Sequence, residues 1–400
     1  MNRKQFTTLL VLLIVLGGAG WLLHKKNDTT WQATDAGLGQ KLLGNNFAIN
    51  DVAEISIRQG TNAVDLVKKD DVWQVRERDG YPANFSEISD FLIKARDLKI
   101  VQSEEVGPSA LPRLELATTG QGTNTGTLLD LKNKDGKAIK SLVLGKKHTR
   151  KPQGNQAAMF GEDGFPDGRY VMLAGDSHNA LLVADALSSL EPKPESWLNK
   201  DFFRVEKPRL ISVAFPTVTN SWKLTRESET NEWKLADAKP EEKLDTSKTY
   251  GVANPFSSPS FNDVLPLNSK PEENGLDKFT TVTVETFDGF TYNVKVGKKS
   301  GENYPIAMTV AANFPKERTP GKDEKPEQKT ALDKVFKENE QKLEDKLKQE
   351  TAFEKWTYLV PTWTVDPILK DRKDLLVEKK DETKTAAVGK AEVAAPEQKP

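Results

Sequence analysis

A chain of 400 residues has room for two or three domains, and 58 Lys and Arg against 59 Asp and Glu leave a formal net charge of −1. That balance supplies no global field to draw the protein to nucleic acid. The absence of cysteine excludes disulfides, thiolate catalysis, cysteine–zinc sites and the lipid-modified cysteine of a lipoprotein.

Residues 6–23, from Phe6 to Leu23, form an 18-residue uncharged run between Arg3-Lys4 and His24-Lys25-Lys26. As a helix it would extend about 27 Å, enough to cross a bilayer core. The run is longer than a signal-peptide core, and no small-residue cleavage motif follows it. The expectation is a retained single-pass transmembrane helix within residues 1–26. Basic residues at both ends leave orientation open on charge alone, while the short basic start favours an inside N-terminus and an outside body. Residues 27–40 are polar and suit a tether.

The body repeats itself. The run KLLGNNFAINDVAEISI (41–57) matches WLNKDFFRVEKPRLISV (197–213) at an offset of 156, pairing Leu42 with Leu198, Phe47 with Phe203, Ile49 with Val205 and Ile55 with Ile211. Residues 127–147 match 281–299, each with an Asp-Gly turn and a terminal Gly-Lys-Lys. Such duplication predicts one scaffold built twice. In the first copy, Ile55 and Ile57 mark a strand, residues 63–67 and 72–76 a hairpin around Trp73, and Asn84 the N-cap of a helix. Glu87 completes a capping box, and Ile88, Phe91, Leu92 and Ala95 form the buried stripe. A hairpin turns at Asp135-Gly136. Residues 157–160 pair with 169–173 across a Gly- and Asp-rich loop, and 180–190 close the module as a helix.

The second copy repeats the strands through Ile211, Val213, Trp222, Leu224 and Trp233, with a shorter helix expected at 257–266. Residues 358–376 resemble 170–190, at an offset enlarged to 188. A Lys/Glu-rich insert at 316–352 accounts for the increase and should project from a hairpin tip. Its first part, 316–325, should be a mobile loop. From Gln328 the composition favours a helix with Leu332, Val335, Phe336, Leu343 and Leu347 on one narrow, coiled-coil-like stripe. Residues 378–400 should be disordered.

The strings QKLLGNNFAINDVAEISI, VWQVRERDGYPANFSEISDFLIKARDLKIV, SLVLGKK and GRYVML resemble an uncharacterised bacterial domain-of-unknown-function family, over residues 40–376. The resemblance implies a membrane-anchored protein found beside ABC transporters of the gliding-motility type, with an ABC permease and accessory subunits as partners. It implies a bacterial inner-membrane location with the body in the periplasm. It transfers no catalytic motif.

Chemical signatures are sparse. His148 and His178 lack metal-ligand spacing, and residues 162–168 lack the register of a calcium-binding EF-hand loop. Both Gly-Lys-Lys runs lack the upstream glycine and the hydroxyl of a P-loop. No serine elbow or dinucleotide turn is present. Trp73 and Trp233 read as core tryptophans, with sugar stacking the sharper alternative. Trp356, Tyr358 and Trp363 form a denser aromatic group and are the candidate interface.

The sequence therefore predicts an α+β protein of two repeated modules, residues 41–196 and 197–377, made of antiparallel strands with covering helices. The leading expectation is a non-catalytic accessory or scaffold subunit of an ABC transport system, without cofactor or metal. A cell-envelope polysaccharide-binding module is the alternative, and an envelope hydrolase using paired carboxylates the weaker one.

Overall fold

A computed structural model describes residues 13, 15–19, 31–35, 37–117, 125–150, 164–176, 178–320 and 324–378. Among them, no helix is long and apolar enough to cross a membrane. Most of residues 6–23, and all of 379–400, lie outside the described residues. The chain divides into two compact units, Met1–Lys200 and Asp201–Pro400.

Unit 1 is built on a ten-stranded antiparallel sheet. Its strands are β1 (Trp31–Thr34), β2 (Glu54–Gln59), β3 (Asn62–Lys69), β4 (Val72–Val75), β5 (Tyr81–Pro82), β6 (Ile100–Val106), β7 (Thr127–Lys132), β8 (Ala138–Arg150), β9 (Phe165–Leu173) and β10 (Asn179–Val183). Their spatial order is β1-β6-β10-β9-β8-β7-β2-β3-β4-β5. The period-2 pattern buries Ile55, Ile57, Val64, Leu66, Leu129, Leu131 and Val171 completely. The β3–β4 hairpin turns on Asp70 and Asp71, both left-handed, as a two-residue loop of this kind demands. Helix Phe85–Asp97 buries the predicted stripe of Ile88, Phe91, Leu92 and Ala95. Asn84 caps it by accepting from the Glu87 N–H at 3.4 Å. The capping box stays half-formed, because the Asn84 N–H donates to the Trp197 carbonyl instead.

Unit 2 has an eight-stranded sheet of β11 (Pro208–Ala214), β12 (Trp222–Thr225), β13 (Lys234–Leu235), β14 (Asp263–Val264), β15 (Thr280–Thr286), β16 (Phe290–Val296), β17 (Asn303–Ala312) and β18 (Tyr358–Pro361). Their order is β13-β12-β11-β15-β16-β17-β18-β14. Without its two outer strands β1 and β5, the unit 1 sheet has the same order. Registers agree residue by residue. Ile55 pairs Leu66 and Leu131, and Ile211 pairs Leu224 and Val284. Trp73 lies in β4, and Trp233 immediately precedes the matching β13. The architecture is α+β with two sheets of like topology.

Three expectations are corrected. Residues 180–190 are not a helix: 179–183 form β10, because that segment fills the gap between β6 and β9. Residues 257–266 hold turns and the short β14. The helical turn of this copy lies earlier, at Thr246–Thr249, where Asp245 caps it. The offset of 188 also fails. Val171 pairs Leu144 and Leu181, and Ile306 pairs Val296 and Tyr358. Tyr358 thus corresponds to Leu181 on β10, and not to Tyr170 on β9. The insert joins β17 to β18, matching the short 174–178 connection of unit 1.

The end of unit 2 is tied back onto its sheet. Trp222 Nε1 donates to the Lys370 carbonyl at 2.6 Å. Arg372 donates to Glu242 at 2.7 and 3.1 Å and to the Asp237 carboxylate at 3.1 Å. The Arg372 hydrogen bonds hold the Glu242 carboxyl down to about 2. A depressed folded-state pKa stabilises above the unfolded value and stops doing so as pH falls through the folded one. Between the ordinary carboxylate range and about pH 2, the 372–377 segment should therefore loosen. Hydrogen exchange at Leu376 N–H will detect this, and Arg372→Gln should move the transition to higher pH. An acid transition that this variant leaves in place would contradict the assignment.

Candidate partner surface

The long helix Pro326–Thr351 packs chiefly against β17 and runs into the 3-10 turn Ala352–Lys355 that follows it. Phe336, Leu343 and Leu347 are half-buried and line cavities with Phe314. Leu332 and Val335, nearer the helix start, are 43% and 52% exposed. The predicted stripe is therefore split between a seated half and a free half.

The helix is rooted at its C-terminal end by a buried carboxylate. Glu350 is 4% exposed. It accepts from Tyr292 Oη at 2.7 Å, from the Arg204 backbone N–H at 2.9 Å and from Lys346 Nζ at 2.7 Å. Lys346 also donates to the Arg204 carbonyl at 2.8 Å. Burial, reinforced by Glu350, pushes the Tyr292 phenol far above its usual range, so it remains a donor. One turn on, Glu354 accepts from the Val310 N–H at 2.8 Å and covers the open edge of β17. At the other end, Arg318 donates to Glu324 and to Asp333 at 2.8 Å. Arg318 thus links the described part of 316–325 to the helix by charge.

The aromatic trio does not form one surface. Trp356 and Tyr358 are 6% and 0% exposed. Tyr358 stands among Phe202 and Phe261, with ring centroids at 4.6 and 5.0 Å, inside an aromatic core. Only Trp363, 64% exposed, is available from the outside. Trp73 is buried, and Trp233 lies under the Arg226 guanidinium at 4.7 Å.

Carboxylates collect on one face of the unit 1 sheet. Asp65 accepts from Ser56, from Arg58 at 3.0 Å and from Arg76 at 2.6 Å. Glu54 accepts from Lys132 at 2.8 Å and Arg76 at 3.1 Å. Burial raises the Glu54 pKa, but Lys132 and Arg76 outweigh it and leave it below the ordinary value. Both acids belong to a ladder of cross-strand pairs. His148 Nδ1 lies 2.6 Å from Asp167, which also pairs Arg150. Among the described residues, no group of three or more His, Asp or Glu is placed to hold a metal. The Gly-Lys-Lys glycines have a packing role. A Cβ at Gly145 would lie 2.4 Å from the Leu114 carbonyl, and one at Gly297 2.4 Å from that of Asn274. A covering segment crosses each copy at the same place, and sequence alone could register only the shared motif.

The family model described as a domain of unknown function, DUF4340, matches residues 73–278, about half the chain. The chain belongs to the DUF4340 family. The DUF4340 match begins at Trp73 on β4 and ends just before β15, so it takes in parts of both units. No curated protein and no solved structure gives a significant match to the chain.

Proposed function

We propose that this DUF4340 protein is a membrane-anchored, extracytoplasmic accessory or scaffold subunit of an ABC transport system. In this reading it acts by contact and not by catalysis. The observation that carries the reading is the long helix of unit 2. Its root is fixed through Glu350, while Leu332 and Val335 stand exposed on the same apolar stripe. A firmly mounted helix with an unfilled apolar half suits a groove on a partner subunit. The uncharged run of residues 6–23 supports anchoring at the inner membrane, with the body in the periplasm. The family resemblance supports an ABC permease and its accessory chains as the partners.

Purification from native membranes in mild detergent tests this reading. The full-length protein should recover transporter subunits. Leu332→Glu with Val335→Glu should cut that recovery about tenfold, the effect of losing roughly 1.4 kcal/mol of apolar contact. Recovery of a lone monomer from the wild type, or undiminished recovery with the double variant, would reject the scaffold role of this helix.

A further inference from the structure

Unit 1 contains a cavity of about 300 Å³ whose wall includes Asn62, Thr127, Lys147, Arg169 and Ser188. Arg169 is only 8% exposed. Its Nε donates to the Gly145 carbonyl at 2.9 Å and its Nη1 to the Leu187 carbonyl at 3.3 Å. These neutral acceptors use two of its five N–H donors. Among the described residues, no carboxylate forms an ion pair with Arg169 or with Lys147, and the nearby Lys193 is balanced by Glu191 at 2.9 Å. Burial lowers the Arg169 pKa, and the field of half-buried Glu115 only partly opposes it.

The register makes the imbalance sharper. Lys147 and Arg169 are direct cross-strand partners in the β8–β9 ladder. Like charges in that position repel each other. A buried cation without a directly paired carboxylate is costly, so the arrangement favours an anion.

Unit 2 provides an internal control. The correspondence of Leu144–Val171 with Val296–Ile306 puts Tyr304 where unit 1 has Arg169, and Lys299 where it has Lys147. There, Asp366 accepts from Tyr304 Oη at 2.7 Å and lies 3.7 Å from Lys299 Nζ. The second copy thus neutralises this position from within its own chain. Among the described residues, the first copy leaves Arg169 and Lys147 without a carboxylate partner, beside a cavity whose wall also carries the Glu191–Lys193 pair.

We propose that this cavity binds a small oxyanion, a phosphate or carboxylate group, with Arg169 and Lys147 as its charge partners. Thr127, Asn62 and Ser188 supply neutral hydrogen-bonding groups around it. Guanidinium geometry favours planar, two-point recognition of such oxyanions. The volume falls at the lower end for small-molecule sites and suits a group carried on a single sugar-sized body.

Calorimetric titration of the full-length protein in detergent, at low salt, with inorganic phosphate and separately with glucuronate tests the site. At least one should bind saturably with a Kd below about 1 mM, and the tighter probe identifies the oxyanion. Lys147→Gln should weaken that binding about tenfold, Arg169→Gln should abolish it, and Lys299→Gln in unit 2 should leave it unchanged. Lys147 is exposed, so its variant keeps the test decisive even if Arg169→Gln fails to fold. No saturable binding of either probe up to about 10 mM, or binding indifferent to Lys147→Gln, overturns the proposal.

Discussion

Glu350→Ala should destabilise unit 2 by about 1–3 kcal/mol, the range for leaving a buried donor without its acceptor. The substitution removes the acceptor shared by Tyr292 Oη, the Arg204 N–H and Lys346 Nζ, and leaves the first and last the Arg204 carbonyl as acceptor. Tyr292 is buried, so its hydroxyl loses a strong acceptor and regains little, whereas Lys346 is partly exposed and recovers water. Glu350→Gln keeps the shape and one acceptor, and should cost less than half as much. Urea unfolding followed by tryptophan fluorescence will measure both, with the midpoint falling and the slope unchanged if the native state is otherwise intact. A loss below about 1 kcal/mol for Glu350→Ala would mean that water reaches the site and that the helix is held by its apolar contacts alone. The result also separates the root of the insert from its outer part. Replacing the exposed first half of the helix should spare the fold, whereas a deletion that includes Glu350 should not.

Gly297→Ala and Gly145→Ala should each cost about 2 kcal/mol or more, through overpacking of a site with no give. The new methyl would sit 2.4 Å from a backbone oxygen in both copies, that of Asn274 or of Leu114. At Gly145 it would also press on Leu116 Cδ2 at 2.7 Å. A side-chain neighbour could rotate away, but a carbonyl fixed in a crossing segment cannot. Thermal unfolding of the two variants should show comparable losses, each in its own unit. If Gly297→Ala were neutral while Gly145→Ala was damaging, the crossing segment of unit 2 would be free to shift, and the two glycines would not be equivalent.

Much of the fold was legible because the duplication is written in residues that face inward. Phe47 and Phe203, Ile55 and Ile211, and the paired Asp-Gly turns predicted equivalent positions, and the strand registers agree with them. The reading failed where local pattern competes with long-range pairing. Ala180, Leu181, Ala184 and Leu187 have helical spacing, yet the demand for a strand between β6 and β9 prevails over it. Tyr170-Val171 and Tyr358-Leu359 look alike as dipeptides, but register is set by partners across the sheet, and the partners place them on different strands. Trp356 and Tyr358 read as an interface because, with Trp363, they form a dense aromatic group. They are in fact the chain's return into the aromatic core. The Arg169 cavity was invisible for the same reason, since the Lys147–Arg169 opposition exists only once β8 and β9 are paired. The Gly-Lys-Lys motif is plain in the sequence, but its spacing points away from a P-loop and says nothing of what crosses above it.

The position of the insert has a consequence for how such a chain can change. It enters after Ala312 and leaves before Tyr358, which pairs Ile306, so β17 runs six residues beyond its ladder with β18 before the insert begins. Lengthening a connection there roughly ninefold over the 174–178 link of unit 1 costs only about 2 kcal/mol of closure entropy. One buried carboxylate and a few half-buried side chains are enough to offset that. This hairpin tip is therefore a socket in the scaffold, where segments of different length and surface can be exchanged without re-registering a single strand. Unit 1 carries the same socket, fitted with nothing longer than a turn.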